Sequence, residues 1–325
     1  MLQLFRRNMI FNNLLLLPYI LVVHGGRFII NYGQDSLENS WLFDLLISRL
    51  HIGSQESYYL SIIFIFFEAT LINVLVNKNK INPEGQLFPG LIFIILTGFH
   101  PMLFAFSPIL IANLFFILGL LSMVSTYLMK NASLSIFNYG FYIGLATVFY
   151  SPYSWMILLG IIGLTVFRGL SIREFMQMIS GFMVVFFLFY FLLYLSNTSS
   201  LYNKSQIFDF FRPYIFSLSY NGKGLIAFLI IFFLFIISFI RFVILQVKSS
   251  ISTQKIYYFL FWISFFSMLT LCFSHITSLG HLIILISPLC IFLGIILSRI
   301  KNELLSETLH LFFALFALFL QLQNW

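Results

Sequence analysis

Charged residues are scarce in this sequence, because only 8% of its 325 residues are Asp, Glu, Lys or Arg while 61% are hydrophobic. A water-soluble protein of this length could not cover so much apolar surface with so few charges. The apolar residues form repeated runs of about 18 to 22 residues, the length that an α-helix needs to cross the roughly 30 Å hydrocarbon layer of a bilayer. The sequence therefore predicts an all-α, polytopic integral membrane protein.

Cysteine is scarce as well, since the chain contains only Cys272 and Cys290, each inside an apolar run. Their spacing matches no zinc-binding motif, and we interpret both as small buried hydrophobic side chains. The first apolar run lacks a small-residue cleavage site, so we expect it to be retained as a span. No polar region is long enough for a soluble domain. We predict a single membrane domain over residues 1–325, without a cofactor or a metal ion.

Residues 87–168 contain four apolar segments that we interpret as two helical hairpins. Each hairpin turns on an aromatic residue followed by Ser and Pro: Phe106-Ser107-Pro108 in the first and Tyr150-Ser151-Pro152 in the second. Proline is favoured in the first turn of a helix, where its missing N–H leaves no hydrogen bond unmade. The hairpins end in Lys130 and Arg168. The pattern predicts a core four-helix module with a weak internal repeat.

Lys and Arg are distributed unevenly about the predicted spans. We predict about eleven spans, at 9–30, 58–76, 87–106, 108–129, 134–150, 152–167, 175–195, 225–246, 256–273, 282–297 and 308–322. Of the 17 Lys and Arg residues, the five on the side opposite the N-terminus are Arg27, Arg49, Lys204, Arg212 and Lys223. The positive-inside rule places the N-terminus in the cytoplasm and the C-terminus in the periplasm of a bacterial inner membrane. The basic net charge is thus a topology signal, and we expect no nucleic-acid partner.

The first predicted periplasmic segment, residues 31–57, carries the acids Asp35 and Glu38 shortly after the first span. The stretch 40–50 has apolar residues at helical spacing with Arg49 on the opposite face. This spacing predicts an amphipathic helix that lies along the membrane surface. Such a helix, preceded by acids, could be an active-site element as well as an anchor.

Histidines are concentrated on the predicted outer side. Five of the six, His24, His51, His100, His275 and His281, lie at or near outer span ends. Pro101 is expected to kink the third span and to direct His100 into the bundle. His275 and His281 flank the outer turn between two spans. Each histidine is either a packed residue or part of a site, and the sequence leaves both alternatives open.

Two further polar residues have alternative interpretations. Glu68 lies within the second span, where a carboxyl must face protein or water; it is either a hydrogen-bonded or protonated structural group or part of a proton relay. Arg212 lies among aromatic residues in the second periplasmic segment, 196–222. It either contacts a lipid phosphate through its guanidinium or belongs to an interfacial aromatic anchor.

The order of these features resembles the GT-C superfamily of membrane glycosyltransferases, which use polyprenyl-phosphate-linked sugars at the outer face. The residues that carry the resemblance lie in 99–168 and are His100-Pro101, Ser107-Pro108, Asn113, Tyr127, Gly140 to Gly144, Ser151-Pro152 and Arg168. The chain also resembles an uncharacterised multispan inner-membrane family of Bacteroidota, through the stretch Ile72-Asn73-Val74-Leu75-Val76-Asn77-Lys78-Asn79. The likeness covers essentially the whole chain.

The resemblance implies a GT-C-like fold and a role for each candidate residue. Asp35 or Glu38 would be the catalytic base, and Arg212 or another outer cation would stabilise the leaving phosphate. The predicted substrate-binding residues are Arg212, His100, His275 and His281. The sequence departs from the pattern because no acid directly follows the first span and no large outer domain is present. The predicted function is sugar transfer from a polyprenyl-phosphate donor at the periplasmic face, in contact with membrane lipid. The alternatives are a non-catalytic inner-membrane subunit of an envelope-assembly complex and a transporter.

Overall fold

The computed structural model of the chain describes residues 5–6, 10–26, 40–79, 81, 86–127, 129–195, 222–246, 249–273, 279–300 and 302–322. Every regular element in these ranges is a helix. The predicted all-α class is therefore confirmed for the described part of the chain. The second predicted periplasmic segment and most of the first polar segment before Ser40 lie outside the described residues.

The described α-helices follow the predicted apolar runs closely. They are α1 Ile10–Leu14, α2 Leu16–Val23, α3 Trp41–Leu50, α4 Ser54–Lys78, α5 Phe88–Thr97, α6 Pro101–Phe104, α7 Pro108–Ser125, α8 Ser133–Phe149, α9 Met156–Phe167, α10 Ile172–Leu195, α11 Gly222–Gln246, α12 Ile251–Phe273, α13 Ile283–Ser298 and α14 Glu303–Leu322. Two 3₁₀ helices, Ser151–Trp155 and Leu279–Leu282, precede α9 and α13.

Six of the described helices are long and apolar enough to cross a membrane. They are Ser54–Lys78, Pro108–Ser125, Ile172–Leu195, Gly224–Ile244, Leu279–Ser298 and Glu303–Gln321. Four shorter apolar helical stretches accompany them, at Phe11–Val23, Phe88–Thr97, Ser133–Phe149 and Ser151–Phe167. These helices indicate a membrane protein, whereas the number of about eleven spans stays a prediction.

Successive long helices run in opposite directions, so their ends form two groups, which we call the Ser40 end and the Arg168 end. At the Ser40 end, the Gln321 amide donates to the Gly98 carbonyl over 2.9 Å, which joins α14 to the end of α5. At the Arg168 end, Arg6 pairs with Glu303 over 2.6 Å, which joins the N-terminal region to α14. Eight of the ten described Lys and Arg residues lie at or near the Arg168 end: Arg6, Lys78, Lys130, Arg168, Arg173, Arg241, Lys255 and Arg299.

The centre of the bundle is formed by α5 and α13, whose sequences are apolar on all sides. All ten residues of α5 are buried, as is 89% of the α13 span. By contrast, only 22% of the α10 span is buried, which is typical of a helix that faces lipid. The central helices approach closely because Gly294 lies against Pro89, where a Cβ atom would come within 2.7 Å of the proline ring.

Glycines also allow α8 and α10 to pack closely. A Cβ atom at Gly140 would overlap the carbonyl oxygen of Met178, and one at Gly181 would overlap the carbonyl oxygen of Phe137. Gly140 and Gly144 lie four residues apart on one face of α8, the small-residue spacing that favours helix packing in membranes. This contact fixes the position of the second hairpin of the predicted core module.

The predicted proline turns are present, and a third proline behaves differently from the prediction. Helix α7 begins at Pro108, and the Ser107 hydroxyl caps it by accepting from the Leu110 N–H over 3.3 Å. Pro152 lies in the first turn of the 3₁₀ helix that leads into α9. Pro101 does not kink a continuous span. Helix α5 ends at Thr97, and Pro101 starts the separate short helix α6, because proline disfavours the helical conformation of the residue before it.

Candidate functional site

Four of the six predicted site residues, Asp35, Glu38, Arg212 and His275, lie outside the described residues. The assignment of Asp35 or Glu38 as a base, and of Arg212 and His275 to substrate binding, therefore stays a prediction. The two remaining residues, His100 and His281, are both described and both buried.

His100 is the N-terminal cap of α6, and its Nδ1 atom accepts from the Met102 N–H over 3.2 Å. His281 lies in the second 3₁₀ helix, with its Nδ1 atom 2.6 Å from the Tyr150 hydroxyl oxygen at the end of α8. The two segments that carry these histidines contact each other. The fold thus brings His100 and His281 to neighbouring elements at the Ser40 end, each with a hydrogen bond that orients its ring.

A third histidine joins the same end of the bundle. The His24 ring stacks on Phe104 of α6 with centroids 4.0 Å apart, and its Nε2 atom lies 3.2 Å from the Ile94 carbonyl oxygen. Short helices and non-helical links therefore meet around buried histidine and aromatic rings. Irregular backbone of this kind is tolerated at membrane depth only where protein covers it or where it borders a polar cavity.

The helix predicted over residues 40–50 is present as α3, and its position along the membrane surface stays a prediction. The Ser40 hydroxyl caps it by accepting from the Phe43 N–H over 3.2 Å, and Phe43 is buried against Phe106 with ring centroids 5.3 Å apart. Partial burial raises the pKa of Asp44, which lies in the first turn of the helix. The opposite face is exposed, as an amphipathic helix requires. Helix α3 therefore rests on the turn of the first hairpin.

A buried polar cluster, Glu68, Asn113, Tyr153 and Ser287, lies inside the bundle. The Asn113 amide Nδ2 donates to Glu68 Oε2 over 2.9 Å. Its Oδ1 atom accepts from the Tyr153 hydroxyl over 3.1 Å and from the Ser287 hydroxyl over 3.0 Å. The four residues come from α4, α7, the first 3₁₀ helix and α13. Glu68 stands out in the sequence as an acid within a span, but the sequence does not show that it meets Asn113, Tyr153 and Ser287.

The environment of Glu68 contains little that could balance a negative charge. Its side chain is 0% exposed, and its Oε1 atom has no hydrogen-bond partner among the described residues. The ion pairs of the described residues, Arg6–Glu303 and Arg168–Glu174, do not include it. Cys290, also fully buried, donates its thiol to the Ser287 carbonyl over 2.9 Å. The described residues contain no group of three His, Cys, Asp or Glu residues that could hold a metal ion.

The Arg168 end is organised by one guanidinium. Arg168 Nε donates to Glu174 over 2.6 Å, while Nη1 donates to the carbonyl oxygens of Thr126 and Met129 after α7. Arg168 thereby joins the end of the second hairpin to the end of the first. A cation at this position also interacts favourably with the negative end of the α7 helix dipole.

The described residues form helices that indicate a membrane protein, with a fully buried polar cluster and an irregular, histidine-containing end. Comparisons with protein-family models, with curated proteins and with solved structures find no match for this chain. Proposals about its activity therefore depend on its own residues and on the resemblance described above.

Proposed function

We propose that this protein is a GT-C-like membrane glycosyltransferase of about eleven spans, which transfers a sugar from a polyprenyl-phosphate donor at the Ser40 end. The observation that supports the proposal is the construction of that end. A surface helix, α3, directly precedes the long span α4 and packs on the aromatic link before α7 through the Phe43–Phe106 contact. An acceptor and a lipid-linked donor could meet under such a helix at the membrane surface.

The proposed chemistry is a direct displacement at the anomeric carbon of the donor sugar. Asp35 or Glu38 takes the proton of the acceptor hydroxyl, whose oxygen forms the new glycosidic bond. The bond between the anomeric carbon and the phosphate oxygen breaks, and the polyprenyl phosphate leaves with the electron pair. Arg212 would stabilise the negative charge of that phosphate.

The buried histidines at the Ser40 end would serve in shaping the site. His100 and His281 are already oriented by hydrogen bonds to Met102 and Tyr150, so their rings have a fixed direction. Pre-organised polar groups of this kind lower the cost of binding a polar ligand. His275 would join them from the preceding turn.

The experiment compares the full-length protein in lipid vesicles with its Asp35→Asn and Glu38→Gln variants, supplied with polyprenyl-phosphate-linked sugars and membrane acceptors. We expect transfer by the wild type and loss of at least about 100-fold in the variant that removes the base, the usual scale for a general base. Asp44→Asn is the matched control, since Asp44 is an acid in the first turn of α3, a few residues after Asp35 and Glu38, and it should retain activity.

Full activity in both the Asp35→Asn and Glu38→Gln variants would overturn the base assignment. Absence of transfer by the wild type, together with no accumulation of carrier-linked sugar in lipid extracts of cells without the gene, would instead favour the non-catalytic envelope-complex subunit. One observation favours transport as a second candidate, namely the enclosed carboxyl of Glu68.

A further inference from the structure

Glu68 lies deep in the bundle, far from both ends of its helix. It is 14 residues from Ser54 and 10 residues from Lys78 along α4, or about 21 Å and about 15 Å at the α-helical rise. A fully buried carboxylate is costly unless cations or several hydrogen-bond donors surround it. Glu68 receives one described hydrogen bond, from an uncharged amide. These surroundings favour the neutral, protonated carboxyl.

The hydrogen bonds of Asn113 have two possible directions, because a side-chain amide can be rotated by 180° without changing its shape. In the first orientation, Nδ2 donates to Glu68 and Oδ1 accepts from the hydroxyls of Tyr153 and Ser287. That pattern suits a carboxylate. In the second orientation, Oδ1 accepts the proton of a neutral Glu68, and Nδ2 donates to the two hydroxyl oxygens.

We propose that Glu68 is a proton-binding site and that the Asn113 amide turns over when the proton binds or leaves. The ligand is a single proton, exchanged with water, which converts the carboxylate to the carboxylic acid without any other change of bonding. In either protonation state, the Asn113 amide can then form hydrogen bonds with Glu68 Oε2 and with the hydroxyls of Tyr153 and Ser287. This inference does not depend on the proposed glycosyl transfer.

The cluster is connected to the Ser40 end of the bundle. Tyr153 lies in the 3₁₀ helix before α9, and its ring contacts that of Tyr150 with centroids 6.0 Å apart. Tyr150 in turn holds His281 through its hydroxyl. Ser287 precedes Pro288, which lies inside α13 and removes one backbone hydrogen bond there. A 180° rotation of the Asn113 amide would therefore change hydrogen bonds to the 3₁₀ helix before α9 and to α13, two segments that shape the predicted site.

The other groups around Glu68 distinguish a proton from a metal cation as the ligand. Among the described residues, the titratable side chains near Glu68 are Tyr153 and Cys290, which donate hydrogen bonds to Asn113 and to the Ser287 carbonyl. A sodium or lithium ion also needs several oxygen ligands, whereas Glu68 is the one acid of this cluster and the other described oxygens, on Asn113, Tyr153 and Ser287, are hydrogen-bonded to one another.

Infrared spectroscopy of the full-length protein in lipid nanodiscs tests the proposal, because a protonated carboxyl has a carbonyl stretch separate from that of a carboxylate. We expect such a band at neutral pH in the wild type and its loss in Glu68→Gln. The matched control is Glu174→Gln, which removes an acid paired with Arg168 and should retain the band. Asn113→Leu should shift the band frequency, because the carboxyl loses its acceptor.

Two outcomes would overturn the proposal. The first is a Glu68→Gln spectrum that loses carboxylate absorption and retains every protonated-carboxyl band. The second is loss of the wild-type band on adding sodium or lithium chloride at constant pH, which would make the cluster a cation site. If Glu68→Gln does not fold, the wild type is treated with a hydrophobic carbodiimide, and the proposal requires an adduct at Glu68; an adduct at Glu174 alone contradicts it.

Discussion

At the Arg168 end of the bundle, cationic side chains bind carboxylates and backbone carbonyls, whereas at the Ser40 end contacts between described residues join hydroxyl, imidazole, amide and backbone groups. Arg168 and Arg6 each pair with a glutamate at the first end. At the second end, hydroxyl, imidazole and amide groups of Tyr150, His281 and Gln321 hold short helical segments together. Charge pairs therefore hold the helix ends together at the Arg168 end, whereas uncharged hydrogen-bonding groups and aromatic rings do so in the irregular segments of the Ser40 end.

The largest loss of stability is expected from Arg168→Ala, at the Arg168 end. The change leaves Glu174 without its described partner and removes hydrogen bonds from the carbonyls of Thr126 and Met129. Both side chains of the pair are largely buried, so we expect the free energy of unfolding to fall by about 3 kcal/mol. The measurement is reversible unfolding in mixed micelles. Arg173→Ala changes an exposed arginine at the same end, and it should lower the free energy of unfolding by less than about 0.5 kcal/mol.

A smaller effect is expected from Tyr150→Phe at the Ser40 end. The substitution removes the hydroxyl that contacts His281 while leaving the ring contact with Tyr153 in place. A neutral hydrogen bond contributes about 1 kcal/mol, and an imidazole left buried adds to the loss. We expect about 1 to 2 kcal/mol of destabilisation, measured in the same micelles. An equal loss in Tyr142→Phe, a partly exposed tyrosine of α8, would show that the hydroxyl contact with His281 has no special role.

The smallest effect is expected from Glu303→Gln. The Arg6–Glu303 pair is exposed, with 30% and 54% of the two side-chain surfaces accessible. Exposed pairs contribute about 0 to 1 kcal/mol and are screened by salt. The loss of unfolding free energy should therefore be below about 1 kcal/mol and should disappear at high ionic strength. A loss that persists in concentrated salt would mean that Arg6 holds α14 by more than charge attraction.

The sequence predicts the helices well because their apolar runs are long and their starts are marked by Ser and Pro. Ser107 and Pro108 gave the beginning of α7, and the spacing of 40–50 gave the surface helix. Contacts between residues far apart in the sequence could not be predicted from such local signals. Asn113 and Ser287 meet although they are separated by 174 positions, because helix packing rather than periodicity brings them together. The signal that could have identified the cluster is Asn113 itself, a polar residue inside an apolar run.

The most direct test of the account concerns which end of the bundle faces the periplasm. The two native cysteines are replaced by serine, and single cysteines are introduced as Ser48→Cys at the Ser40 end and Ile172→Cys at the Arg168 end, where both native side chains are accessible. Intact cells without an outer-membrane barrier are treated with a membrane-impermeant maleimide. We expect rapid labelling at position 48 in intact cells and labelling at position 172 only after lysis. Labelling of position 172 in intact cells, with position 48 protected until lysis, would contradict it.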